Sequence, residues 1–582
     1  MALPIVSVPV KKKQKPSLAM TLSATGLLII GGGVAYRLFS QGHFSGNLLL
    51  GANIIPNDAL FAASVTTDPK QWQKLQEFGT KESQAQLNQT LIQLRDRFLT
   101  NNGFNFEQDI QPWVDKEVTF AILAPETNQP ASKPVATDSL TPDSQQSMVM
   151  VLPVKNSDLA QKILAQPKAL KTGKWIDRTY QGVPIKQSEG EFGINLSATL
   201  LDQRFLVITD NPKATERAID AYKNQTSLAT VGSFADNFPK ISEPNSFAQF
   251  YVNVPNAAKI ATKAPNRRLP AQVLAQLQNN QGLAGAISLE SDGIRLKGVS
   301  WLNPQSQRLL SVDNSAGNMQ QRMPAETLMM LSGSNLQRLW GDYILTSQGN
   351  PLSPVSPEQL RSGVKSLTNL DLERDLLSWM KGEFAVSLIP NVPKNGTPGD
   401  FRAGLVFMVK ASDRKLAEAS LQKLDDIIKT QYQFQIQPGT VAGQPVVNWI
   451  GPFGTLTASH GWLDQDTAFI VLGAPVTDKI VPKPSSTLAS NLAYQQTVPT
   501  ELNPTNSAFF IDVERMVNNF TLNTLFPKQR TFLEATRSIG ATTSVSDSRS
   551  TRYDIYLSLK KSTNSATVPN SENHPNISSS KP

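Results

Sequence analysis

Trp113–Leu123 reads WVDKEVTFAIL, and Trp379–Ile389 reads WMKGEFAVSLI. In both, tryptophan is followed four residues later by glutamate and then by an apolar run of strand-forming residues. The pair decides the fold because the text around it recurs as well. Upstream, IIPNDALFAASV (Ile54–Val65) matches MPAETLMMLSG (Met323–Gly333). Each opening leads to an apolar stripe at helical spacing, Leu87, Leu91, Leu94 and Phe98 in one case and Leu360, Val364, Leu367 and Leu370 in the other.

Downstream, VMVLPVKNSDLAQKIL (Val149–Leu164) faces GLVFMVKASDRKLAEASL (Gly404–Leu421), a strand followed by a helix. The shared V-K-x-S-D puts Asp158 and Asp413 at the expected helix caps. YQGVPI (Tyr180–Ile185) and VAGQPV (Val441–Val446) read as turns entering strands. LDQRFLVITDNPKATERAI (Leu201–Ile219) faces LDQDTAFIVLGAPVTDKIV (Leu463–Val481), with Asp202 and Asp464 as turn formers. QFYVNV (Gln249–Val254) and GIRLKGVSW (Gly293–Trp301) face AFFIDV (Ala508–Val513) and TRYDIYLSL (Thr551–Leu559). Nine segments in one order, mostly 255 to 269 residues apart, predict a tandem duplication.

The expected fold class is α+β: two tandem copies of a mainly antiparallel sheet domain with helices on one face, after a single N-terminal transmembrane helix. The organisation follows: 1–17 a basic tip, 18–37 the membrane span, 38–53 a tether, 54–302 the first repeat, 303–322 the junction, 323–560 the second repeat, and 561–582 a polar, disordered tail. The apolar run Leu48–Ile55 reads as a first strand or an interfacial segment.

The span rests on Leu18–Tyr36, nineteen residues without a charge behind Lys11, Lys12, Lys13 and Lys15. At about 1.5 Å per residue a helix of that length just covers a hydrocarbon core of about 30 Å. The lysines keep the N-terminus cytoplasmic and send the body across the membrane. The preferred reading is an uncleaved signal-anchor; a signal peptide cleaved near Gly33-Val34-Ala35 is the alternative.

Composition narrows the function. The net charge is +8, but removing the four lysines and Arg37 leaves 50 basic residues against 47 acidic ones. A nearly neutral body argues against nucleic-acid binding. Without cysteine there is no disulfide, thiolate metal site or cysteine nucleophile. The only histidines are His43, His460 and His574, so a Ser-His-Asp triad and a histidine metal site are not expected. His460, in TASHGW, is read as structural or exposed, in a turn between strands. No nucleotide-binding or nucleophile-elbow motif is present.

Catalytic, cofactor-binding and metal-ligating residues are therefore each expected to be none, and no cofactor is expected. Glu117 and Glu383 remain as a carboxylate pair, read first as strand-edge residues pairing with Lys116 and Lys381. Trp113 and Trp379 are read as core anchors, with an aromatic groove for a partner as the sharper alternative.

IPNDALF, WVDKE, the strand-K-x-S-D-L text and FLVITDNP together resemble a "domain of unknown function" family of cyanobacterial proteins, over Ile54 to Leu559. The resemblance implies one N-terminal span and a body in periplasm or thylakoid lumen, and it transfers no active-site residue. The functional expectation is a membrane-anchored, non-catalytic protein that holds envelope or thylakoid proteins or assists their assembly. Its partners are the membrane and other proteins, with a lipid or other hydrophobic ligand as the alternative role. A carboxylate-dependent enzyme ranks third.

Overall fold

The computed structural model describes residues 49–98, 106–124, 147–165, 174–189, 196–241, 243, 245–263, 279–306, 308–347, 356–391, 402–520 and 529–562. The expected span at 18–37, His43, His574 and all but the first two residues of the expected tail lie outside the described residues.

The first half supplies β1 (Phe61–Thr66), β2 (Glu117–Leu123), β3 (Ser147–Pro153), β4 (Lys174–Tyr180), β5 (Val183–Glu189), β6 (Ser197–Leu201), β7 (Phe205–Thr209), β8 (Ala248–Asn253), β9 (Asn280–Leu289) and β10 (Gly293–Leu302). The second supplies β11 (Met329–Gly333), β12 (Phe384–Pro390), β13 (Ala403–Lys410), β14 (Gln435–Val441), β15 (Gln444–Ile450), β16 (Leu456–Trp462), β17 (Thr467–Gly473), β18 (Ser507–Asp512), β19 (Thr536–Asp547) and β20 (Ser550–Leu559). Helices α1 (Pro69–Gln76), α2 (Lys81–Phe98), α3 (Ser157–Ala165), α4 (Pro212–Lys223), α5 (Gly232–Asn237) and α6 (Val254–Lys263) belong to the first half. Helices α7 (Leu336–Ser347), α8 (Pro357–Thr368), α9 (Arg414–Tyr432), α10 (Leu492–Thr497), α11 (Val513–Asn519) and α12 (Arg530–Ala535) belong to the second.

All twenty strands among the described residues join one sheet, and the ladders between them are antiparallel. In the first half the order is β4-β5-β6-β7-β3-β2-β1-β8-β9-β10. From the opposite end the second half reads β14-β15-β16-β17-β13-β12-β11-β18-β19-β20. Strands β10 and β20 pair from Gly293↔Ser558 to Trp301↔Ser550 and close the two series into one. The strand order is thus palindromic about the β10–β20 ladder. The sequence leaves open how the halves meet; they form one continuous sheet, because each half leaves its last strand with a free edge and the two edges satisfy each other.

Local chemistry repeats as well. The turns before β5 and β15 place Gln181-Gly182 and Ala442-Gly443 at positive φ, a hairpin geometry that matches strand twist. Pro56 bridges Ser227 in the first half and Pro324 bridges Thr487 in the second. Asp413 caps α9 as expected, accepting from the Leu416 amide at 3.0 Å. Asp158 does not cap α3: Asn156, one residue before the helix, accepts from the Leu159 amide, and Asp158 occupies the first turn.

Helices lie on both faces of the sheet, not on one. On the first face, Ala214, Ala218 and Ile219 of α4 and Phe234 of α5 pack with Val149, Val207 and Tyr251. In the second half Tyr494 of α10 sits edge-on against Phe510 at 5.3 Å on the same face. On the second face, Ala160 of α3 packs on Phe120, Met150 and Leu206, and Ala417 of α9 on Val409 and Ala468. Both sheet faces are apolar, so each recruits cover. Leu49, Ile54 and Ile55 are buried in the first core in turns rather than a strand, so the folded body begins by Leu49, inside the expected tether.

An ionic cluster sits at the centre of the palindrome. Arg295 on β10 donates to Asp554 on β20 through Nε at 2.9 Å and Nη2 at 2.6 Å, and Nη2 also reaches Glu501 at 3.0 Å. Lys297 bonds Glu243 and, at 2.6 Å, Glu501. Asp554 is only 1 % exposed. Paired, hydrogen-bonded charge is the form in which such groups tolerate burial.

Candidate apolar binding face

Residues directly opposite each other in an antiparallel ladder share a face, and residues two apart on one strand do too. Two rows on the second face follow from the register. The first runs from Leu472 on β17 through Leu405, Leu388 and Met329 to Ile511 on β18, then through β19, β20 and β10 to Leu289 on β9. All nine of its positions are Leu, Ile or Met. The second runs beside it from Ile470 through Phe407, Val386, Leu331 and Phe509 to Ile287 on β9, and all nine of its positions are aliphatic or aromatic.

These rows are incompletely covered. Leu331 is 37 % exposed, Leu405 38 % and Leu472 42 %, and apart from Leu289 and Ile287 at the β9 end the other positions are half-buried. The alternating neighbours on the same strands behave differently: Met330, Val406, Val471 and Phe510 are fully enclosed on the first face. Strands β11, β13, β17 and β18 therefore carry apolar side chains on both faces, one sealed and one open. Beyond the second row the same face turns small and hydroxylated, with Gly298, Tyr553, Thr543 and Ser507 in register. There Ser300 and Tyr553 share a hydrogen bond at 2.8 Å, as do Ser507 and Thr543. At the other end of the second row, α9 covers Phe407 and Ala468.

The residues singled out from sequence lie elsewhere. Trp113 and Trp379 are buried in the two helix-covered cores of the second face. The Trp113 indole donates to the Asp109 carbonyl at 2.6 Å. Glu383 does not pair with Lys381. Its Oε1 accepts from the Gly317, Asn318 and Met319 amides at 2.8, 2.8 and 3.1 Å, and its Oε2 from the Asn318 side chain at 3.1 Å. It thereby ties the junction segment to the start of β12. Glu117 opens β2, the strand whose place in the first half matches that of β12 in the second. It is part-accessible as a residue, but its carboxyl is enclosed, and burial raises its pKa above the ordinary value. The two carboxylates thus sit at matching places in opposite halves and do not converge.

His460 is neither exposed nor in a turn. It lies within β16, buried, with Nε2 2.8 Å from Asp425 Oδ1 of α9. The same oxygen accepts from the Trp449 indole at 2.7 Å, and the two rings meet edge-on at 5.8 Å. This trio pins α9 to β15 and β16. Among the described residues, no three histidines or carboxylates gather in an arrangement that could hold a metal ion. Nor is any described helix long and apolar enough to cross a membrane.

A protein-family model described as "Protein of unknown function (DUF3352)" matches residues 21–559. No curated protein matches the chain. Among solved structures, crystal forms III and IV of TP0453 align at 9 % and 10 % identity, covering 44 % of this chain and 80 % and 81 % of theirs. Their TM-scores are 0.22 and 0.23, too low to bear on the fold.

Proposed function

The chain belongs to the family described as "Protein of unknown function (DUF3352)", and from that premise we propose that it is a membrane-anchored, non-catalytic binding protein. Its body works in an exported compartment, periplasm or thylakoid lumen, where it holds other envelope or thylakoid proteins or assists their assembly. The supporting observation is the open apolar strip centred on Leu331, Leu405 and Leu472, since contiguous exposed apolar surface on a folded body marks a place where something binds. The anchor is the span at 18–37, built on the uncharged run Leu18–Tyr36, and the exported side follows from the lysines before it.

Two tandem copies meeting across β10 and β20 are part of the proposal, supported by the palindromic strand order and the repeated Pro56 and Pro324 bridges. A cyanobacterial membrane rests on the sequence resemblance. The same strip favours one second reading, a carrier of a lipid or another hydrophobic molecule.

The test places a photo-cross-linking residue at 405, and separately at 472, in the full chain within its native membrane. Covalent adducts at both positions are expected. Adduct-free chain at both, in protein that folds normally, overturns the binding reading.

A further inference from the structure

We propose that the outer edge of β4 is a docking surface separate from the apolar strip, and that it takes an extended segment of another protein as one further antiparallel strand. The hairpin turns fix which backbone groups are on offer. A two-residue turn with both central residues at positive φ is flanked by a hydrogen-bonded pair, and bonded pairs then alternate along the ladder. Gln181 and Gly182 form such a turn between Tyr180 and Val183, so Tyr180, Arg178 and Ile176 bond inward to β5. The Ser188 amide agrees with this parity, since it reaches the Leu196 carbonyl on the far side of β5 at 2.8 Å. Asp177 and Thr179 therefore turn N–H and C=O away from β5, and among the described residues no strand lies beyond them.

The opposite end of the palindrome differs. The same parity, set by Ala442 and Gly443 between Val441 and Gln444, turns Ile436, Pro438 and Thr440 outward on β14. Proline has no N–H to give, and at the middle of an outer edge it blunts that edge against pairing. One end of the sheet is thus closed by Pro438, and the other keeps its donors.

The edge also says what fits it. Its outward groups recur every second residue, about 6.8 Å apart, a spacing that extended backbone reproduces. A helix keeps its own backbone bonded and hydrocarbon has none to offer, so neither answers it. A second copy of β4 does not answer it either. Outward positions pair with outward positions, and three such registers overlap five or more of the seven residues of β4. They set Asp177 opposite Asp177, Arg178 opposite Arg178, or Lys174 opposite Arg178, each a destabilising like-charge contact. A strand from another protein escapes this conflict. The Asp177 side chain stays 80 % exposed although Lys186 bonds it at 2.6 Å, so the partner residue that complements it is Lys or Arg.

The experiment titrates the full chain in nanodiscs with a fluorescein-labelled synthetic peptide of alternating threonine and valine with lysine at its centre, beside a twin N-methylated at every amide. Saturable binding of the first peptide is expected, at least tenfold weaker for the twin. Hydrogen exchange of the Asp177 and Thr179 amides is expected to slow at least tenfold when the first peptide binds. Asp177→Pro copies the blunting of β14 without touching the β4–β5 ladder, and is expected to weaken binding at least tenfold. Asp177→Asn keeps the N–H and is expected to lose less. Should Asp177→Pro lack a native-like melting curve, Thr179→Pro, at the other outward position, replaces it. Equal binding of the twin, equal binding by a folded proline variant, or no binding by the parent overturns the inference. So does a dimer of the full chain that the proline variant dissolves, since it would make a second copy the occupant. Cross-linking at 405 and 472 reports on the strip alone, so the two readings stand or fall separately.

Discussion

Asp554→Asn tests how the two halves are joined. The substitution keeps the shape of the side chain and removes the charge that the Arg295 guanidinium grips through two hydrogen bonds at 2.9 and 2.6 Å. Asp554 is 1 % exposed and the Arg295 side chain 21 %, so the guanidinium loses its best-buried partner in a largely desolvated place. Breaking a buried pair from one side costs about 3–5 kcal/mol. Glu501 at 3.0 Å and Glu290 at 3.5 Å still face the guanidinium, which places the expected loss at the lower end, about 3 kcal/mol. Equilibrium urea unfolding followed by tryptophan fluorescence reads the loss as a lower midpoint at unchanged slope. Replacing both partners, Arg295→Met with Asp554→Leu, is expected to recover to within about 1 kcal/mol of the parent, since apolar substitutes of similar volume avoid the desolvation of both charges. An Asp554→Asn protein within about 0.5 kcal/mol of the parent, the range of an ordinary surface change, refutes the reasoning.

Other expectations follow from single contacts. Glu383→Ala strands three amides of the junction segment and is expected to lose about 3 kcal/mol, with Glu383→Gln keeping an acceptor and losing less than half of that; equal losses in the unfolding midpoint would contradict the cap. Gly540 on β19 faces the Thr497 carbonyl, where an added Cβ would meet backbone oxygen at 2.4 Å, so Gly540→Ala is expected to lose about 2–3 kcal/mol. Gly298→Ala, with nothing nearer than 3.4 Å, serves as its control at under about 1 kcal/mol. Burial raises the Glu117 pKa, so the folded state holds that proton more tightly, and stability declines as pH rises from 4.5 through the folded value. Glu117→Gln is expected to remove that decline and to gain on the parent above the window; parallel pH–stability curves for the two would show that the group does not titrate this way.

Much of the strand architecture was legible in the sequence, because recurring segments constrain each other. The V-K-x-S-D text predicted a strand followed by a helix twice, and α3 and α9 start there. What the text could not display is pairing between edges: β10 and β20 lie about 250 residues apart, and their union depends on each lacking another neighbour. Helices on both faces are not legible because V, L, I and M runs say that both faces of a strand are apolar without saying what covers each. For the same reason Leu331, Leu405 and Leu472 look in sequence like the sealed Met330, Val406 and Val471 beside them. His460 lies in a strand where TASHGW suggests a turn, and the partner that gives it a structural place, Asp425, comes from a helix that no local pattern links to it.

The most direct test of the central claim is mass spectrometry of an organic extract from the full chain, released from its own membrane without added detergent and compared with Leu405→Gln/Leu472→Gln prepared identically. An apolar species near stoichiometric with the parent chain and depleted at least tenfold in the variant is the predicted result. Equal recovery from both proteins would contradict the claim that the strip around Leu331, Leu405 and Leu472 is where the protein binds an apolar partner.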